Sequence, residues 1–241
     1  MLVELLAGRA GCAAEDILGF DLAVHDTQPG SFWGAGQEFI ADSQLDNLAS
    51  CHAALTALTA SHERSSVTRV VALFDHEEIG SESAQGADGS LLGDVLERIL
   101  LAQDDDREGY MRALASSLMI SADMAHAYQP NFPSAYEPQH TVRVNEGPVL
   151  KINANQRYAT DGLGAARFAA LCQRAGVPHQ TYSHRTDLAC GSTIGPVSAA
   201  RLGVPTIDIG NPMWAMHSIR ESAGVLDHSY MIRLLRAFFA D

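Results

Sequence analysis

The chain has 241 residues, of which 46% are apolar, and a formal net charge of −13, so it is long enough to bury one substantial core. With no basic cluster to offset phosphate charge, that balance argues against nucleic acid or an anionic membrane as a partner. No apolar run approaches a membrane span, and the opening Met1-Leu2-Val3-Glu4 lacks the basic flank and cleavage site of a signal peptide, so the sequence predicts a cytoplasmic location.

Taken in order, apolar spacing predicts short helices over Leu2 to Ala7 and Ala13 to Leu18. An alternating strand follows from Phe20 to His25, closed by the turn Thr27-Gln28-Pro29-Gly30. The pattern then becomes regular, with a helix from Asn47 to Ser61, a strand from Val67 to Phe74, helices Leu91 to Leu101 and Glu108 to Ser116, and a strand from Leu118 to Ala122. Beyond the proline-rich stretch Tyr128 to Pro148, read as a long functional loop, come strand Val149 to Ile152, helix Gly162 to Arg174 and strand His179 to Ser183. Helix Thr193 to Leu202, strand Thr206 to Ile209 and a closing helix Tyr230 to Phe239 complete the chain. Strands alternating with helices predict an α/β fold, a mostly parallel sheet with helices on both faces. Cys12, Cys51, Cys172 and Cys190 show no CxxC spacing, which predicts reduced, mostly buried thiols.

Ligands in open α/β sheets gather beyond the carboxyl ends of strands. The strand ending at Phe74 runs into Asp75-His76-Glu77-Glu78, the strand ending at Ala122 into Asp123, and the strand ending at Ile209 into a loop carrying His217. Asp46 stands where a helix opens. Singly, each has an ordinary structural explanation: a helix cap for Asp46, a turn residue for Asp123, a core histidine for His217, a solvated strand end for the glutamates. Together, two Asp, a Glu and a His at one sheet edge form the donor set of a dinuclear zinc site, in which one Asp bridges metals about 3.5 to 4 Å apart. Adjacent strand residues point oppositely, so one of Glu77 and Glu78 can ligate while the other serves as base.

The strings Ser43-Gln44-Leu45-Asp46-Asn47-Leu48, Phe74-Asp75-His76-Glu77-Glu78-Ile79-Gly80-Ser81, Ser121-Ala122-Asp123-Met124-Ala125-His126 and Met216-His217-Ser218-Ile219-Arg220-Glu221 resemble the signatures of the M18 (aspartyl aminopeptidase) family, in order and over essentially the whole chain. The resemblance implies a zinc-dependent exopeptidase fold that removes single N-terminal residues, preferably Asp or Glu, from peptides. It implies Asp46 as the bridging ligand, Glu78 and His217 as completing one zinc, Asp123 as ligand to the other, and Glu77 as the general base that takes the attacking water's proton and passes it to the departing amine.

Lys151 is the only lysine in the chain and lies on the predicted strand Val149 to Ile152; it reads either as a solvated edge lysine or as a binding residue. In the resembled family the lysine here and the tyrosine matching Tyr158 contact substrate, so Lys151 is expected to meet the side-chain carboxylate of an acidic N-terminal residue. Cys190-Gly191-Ser192-Thr193-Ile194-Gly195-Pro196 also matches the family and reads as a glycine turn or as a source of backbone N–H groups for an anion. Two departures stand out: Gln129 where the family usually has histidine, and Met213-Trp214 in the His217 loop.

The resemblance further implies that residues 1–30 are the tail of an upstream oligomerisation domain and its junction, and that residues 31–241 are a catalytic domain lacking the N-terminal histidine that supplies the first zinc's remaining ligand. A complete site holds two Zn2+. The expectation is therefore a homo-oligomer when full length, acting on peptides, with this chain alone nearly inactive. The competing reading is a non-catalytic remnant that binds at most one zinc and serves as an assembly partner.

Overall fold

In the computed structural model, which describes residues 1–62 and 65–240, the order is α1 (Leu2–Ala10), β1 (Ser31–Trp33), β2 (Phe39–Asp42), α2 (Leu45–Thr59), α3 (Leu91–Leu101), α4 (Arg107–Ser116), β3 (Met119–His126), β4 (Val149–Ile152), α5 (Gly162–Ala175), β5 (Gln180–Ser183), α6 (Ile194–Leu202), β6 (Thr206–Trp214), β7 (Glu221–Gly224) and α7 (Val225–Phe239). Local chemistry sets the helix ends. Asp161 Oδ1 accepts from the Gly164 N–H at 2.6 Å to cap α5, and Gly176, at φ +61°, closes it.

The seven strands form one mixed sheet in the order β1-β2-β7-β6-β4-β5, with β3 also on β6. β3 runs parallel to β6 along their length, from Met119↔Thr206 to His126↔Met213, and β4 is parallel to β5. The pairs β1–β2, β2–β7, β6–β7 and β4–β6 are antiparallel. The nine-residue β6 is the axis: one edge carries β3, and the other carries β4 and then β7.

Strand alternation sorts the side chains of that axis onto two faces. Ile207 and Ile209 of β6 pack with Leu150 of β4 and with Phe168, Ala53 and Leu234 of α5, α2 and α7, joined by Ile120 and Ala122 of β3. The residues between them, Asp208 and Gly210, Ser121 and Asp123, and Lys151, fall on the other face, where Asp208 lies against Gly195 of α6. Helices thus cover both faces. One face carries the main apolar core; the other carries these polar residues beside a smaller apolar cluster that includes Ala125, Val149 and Tyr182. Phe168, wholly buried, is central to the first; Phe168→Ala is expected to cost about 3 to 5 kcal/mol through lost burial and the cavity left behind, read as a lowered urea midpoint at unchanged slope.

Several expectations change. The 13–18 helix is one 3-10 turn, Ala14–Asp16. Residues 20–25 and 67–74 are in no strand; neither has a sheet partner among the described residues, and Phe20, Leu22, Val67 and Leu73 are exposed. The sheet is mixed and not mostly parallel, because four of its strand pairs are antiparallel; three of these involve β1, β2 or β7, strands of three or four residues that are too short to show a period of their own. β1 and β2 close through aromatic contacts: Trp33 to Phe39 at 4.6 Å and Phe39 to Trp214 at 5.2 Å between ring centroids. All four thiols are free, but only Cys172 is buried, and Cys12 is exposed. Among the described residues no helix is long and apolar enough to cross a membrane.

Candidate metal centre

Backbone turns that are unusual for their residue types deliver the site. Gln44, His76 and His217 have φ of +59°, +62° and +67°, left-handed values that cost a non-glycine residue about 1 to 3 kcal/mol each. They stand just ahead of Asp46, just ahead of Glu77, and at a candidate ligand itself. Local bonds hold the turns, such as Ser81 N–H to His76 O at 2.8 Å. Asp46 and Asn47 depart from helical geometry within α2, so Asp46 is freed from the helix to point elsewhere. The start of α2 is fastened along β3, with Asn47 Nδ2 donating to Ala122 O at 3.2 Å and Ser50 Oγ to Asp123 O at 3.1 Å.

His217 Nε2 lies 3.1 Å from Asp46 Oδ2 and 3.0 Å from Glu78 Oε2. One donor atom from each of the three sits within 4.8 Å of the others, a set that could hold a metal ion. Burial, then Asp123, pushes the Asp46 carboxyl up to about 9, with Glu78 and Glu221 adding to the effect. Asp123 is held below the ordinary range: burial opposes its charge, but the Lys151 ammonium and a hydrogen bond to Asp46 outweigh that. Glu77 is raised to about 7, by burial first and then by Asp123 and Glu78, with Lys151 and His217 opposing. Four carboxyl groups crowded at one point form the electrostatic deficit that a divalent cation offsets, and oxygen and imidazole donors suit zinc. The residues present fit the ion.

Asp46, Glu77, Glu78, Asp123 and His217, read from separate stretches of sequence, are therefore brought together. Glu77 and Glu78 lie on a 3-10 turn, Glu77–Ile79, and not at the end of a strand, so the turn directs their side chains. Asp123 is within β3 and not beyond it. The edge-lysine reading of Lys151 is overturned: β4 has neighbours on both sides, Lys151 is 3% exposed, and its Nζ reaches Asp123 Oδ2 at 2.8 Å. Tyr158, also buried, lies with its ring 5.5 Å from that ammonium, and burial together with Cys190 raises its hydroxyl pKa. Thr193 spends its hydroxyl on Asp208 Oδ1 at 2.7 Å, which fixes the start of α6. Trp214, one of the departures, donates from Nε1 to Tyr128 O at 2.9 Å and ties the long loop to β6.

Of the buried carboxylates that escaped the sequence reading, Glu221 and Asp208 bear on this site. Glu221, 2% exposed, accepts the Asp46 N–H at 2.9 Å on Oε2 and the His217 N–H at 2.7 Å on Oε1, so it clamps the backbones of two of the three donors. Asp208 takes Ser121 Oγ at 2.6 Å and the Ala159 N–H at 2.6 Å, beside Thr193, and binds β3, the Tyr158 segment and α6 into one unit. The one signal for Glu221 was its place in the string that ends the His217 loop. Asp208 sits in an apolar strand and gave none. Glutamine at 221 can accept only one of the two N–H groups and presents a donor to the other, so Glu221→Gln is expected to weaken zinc binding about tenfold or more. Chelator competition reads this directly.

A carboxylate-and-imidazole cluster held on one face of a mixed α/β sheet is a donor set that suits a divalent metal ion. Residues 1–239 match the family described as aminopeptidase I zinc metalloprotease (M18), and the chain belongs to that family. A probable M18 family aminopeptidase 2 of Mycobacterium leprae is 50% identical over 239 residues, covering 99% of this chain and 56% of that protein. The yeast aminopeptidase 1 crystal structure superposes with a TM-score of 0.84 at 32% identity, covering 99% of this chain and 54% of that one. A chain of the Ape4 and Nbr1 complex superposes with a TM-score of 0.93 at 41% identity, covering 99% of this chain and 47% of that one. The chain spans about half the length of the curated relatives it matches.

Proposed function

We propose that the protein is a zinc-dependent aminopeptidase that removes N-terminal residues from peptides, preferably Asp or Glu. The observation that carries this reading is the convergence of Asp46, Glu78 and His217, within 4.8 Å of one another, beside Asp123 and Glu77. In it Asp46, Glu78 and His217 would hold one zinc ion, and Asp123 together with Asp46 would hold a second. Bound zinc supplies Lewis acidity toward water and the scissile carbonyl. Glu77, partly buried beside these groups, takes the water's proton and returns it to the leaving amine. Lys151 and Tyr158 line the substrate side, where one ammonium in a buried setting matches an acidic side chain.

The same reading takes residues 1–30, with Leu2, Leu5 and Phe20 exposed, as a junction to an oligomerisation domain, and the working form as a cytoplasmic homo-oligomer. One solved relative is described as a dodecamer, the S. cerevisiae mApe1 at 32% identity. The test is zinc content per chain together with hydrolysis of aspartyl- and leucyl-p-nitroanilide by the protein, alone and as an assembled oligomer. Faster cleavage of the aspartyl substrate, lost with the metal, supports the reading. One zinc and no hydrolysis in any assembly supports the non-catalytic remnant instead.

A further inference from the structure

Lys151 is spoken for twice: it contacts a candidate metal ligand, and it is the cation expected to meet an acidic substrate. We propose that it does these in turn, acting as a cation placeholder that pairs with Asp123 while the adjacent metal position is empty and turns to the substrate carboxylate only when a divalent cation has taken Asp123. The inference rests on the proposed role of Asp123 as a metal ligand.

The geometry supports an exchange. β6 lies between the strands that carry the two residues, and at Gly210 it pairs with Asp123 on one side and with Val149 on the other. Gly210 has no side chain to stand between them, and Lys151, two residues along β4 and on the same face, reaches Asp123 Oδ2 at 2.8 Å. A buried ammonium is costly without an anionic partner, and the carboxylate that Lys151 reaches here is one the metal also needs. Its second neighbour, the Tyr158 ring at 5.5 Å, gives a cation–π contact that persists whichever anion the ammonium faces. A lysine suits this task better than an arginine: it is a compact charge on a flexible stem, whereas a guanidinium fork would hold the carboxylate in a bidentate grip. One ammonium cannot neutralise Asp123 and a substrate carboxylate together. Recognition of an acidic residue thereby becomes conditional on a loaded metal site.

The exchange predicts competition between Lys151 and zinc. In the purified full chain, Lys151→Met is expected to tighten the weaker zinc-binding step at least about tenfold, since the like charge beside the incoming cation is gone; Lys151→Arg should not tighten it. The double variant Asp123→Asn/Lys151→Met, which removes both charges, should lose the gain, so the two effects are not additive. A variant-free measurement guards against misfolding. Because Lys151 is the only lysine, 13C-lysine labelling yields one side-chain ε-CH2 signal, which should shift as zinc is titrated into the wild-type chain. Unchanged zinc affinity in a folded Lys151→Met chain, or a lysine signal that ignores zinc, overturns the placeholder. If zinc does not bind, or binds equally to His217→Ala, the metal-site reading fails as well. If zinc binding depends on His217 while the lysine stays still, only the placeholder fails.

Discussion

Glutamine at position 77 is expected to lower hydrolysis of an aspartyl substrate by at least about a hundredfold while zinc content stays unchanged. Glu77 is partly buried on the 3-10 turn, and burial with Asp123 and Glu78 holds its carboxyl near 7, where a base can both accept and return a proton near neutral pH. It is not one of the three residues whose donor atoms converge. Glutamine preserves its shape but cannot take the proton. Turnover of the active form therefore falls, and the metal stays. Metal analysis beside the rate measurement distinguishes the roles of the neighbouring glutamates: zinc lost in proportion to activity would mean that Glu77 ligates and Glu78 is the base.

The second large effect is on the metal itself. Alanine at position 217 removes the only imidazole of the cluster and leaves Asp46 and Glu78, two carboxylates, as its donors. Zinc needs at least three protein ligands in such sites, so affinity should fall by more than about a hundredfold, beyond the effect of the Glu221 substitution, which disturbs only placement. His217 and Glu78 are more than half exposed as side chains, at 59% and 55%, so truncation there opens little cavity. The thermal midpoint of the metal-free protein should hardly move. Chelator competition beside a melting curve tests both halves of this expectation; unchanged zinc affinity would remove His217 from the centre.

Much of this site is legible residue by residue. Asp46, Glu77, Glu78, Asp123 and His217 stand at ends of local patterns, and long periodic elements such as α3, whose predicted bounds Leu91 to Leu101 are those observed, make those ends visible. Lys151 stood out by composition alone. The helices that frame the core follow from apolar spacing, which a helix imposes over several turns and which neighbours rarely override.

What the sequence by itself determined is the α/β class, the principal helices and the chemistry of the donor set, because these rest on periodicity and residue type. Only the tertiary structure decided that β6 extends to Trp214 and that Asp123 lies inside a strand, since pairing with β3 and β7 lengthens a run whose own pattern stops at Ile209. It also decided that residues 67–74 take no sheet partner among the described residues, and that Lys151 is buried on an interior strand. The clamp of Glu221 on Asp46 and His217 joins residues 175 and 4 positions away. Contacts of that range leave no periodic trace in a single sequence, because a buried carboxylate is recognised by the N–H groups that meet it, and those are set by the turns of the folded chain.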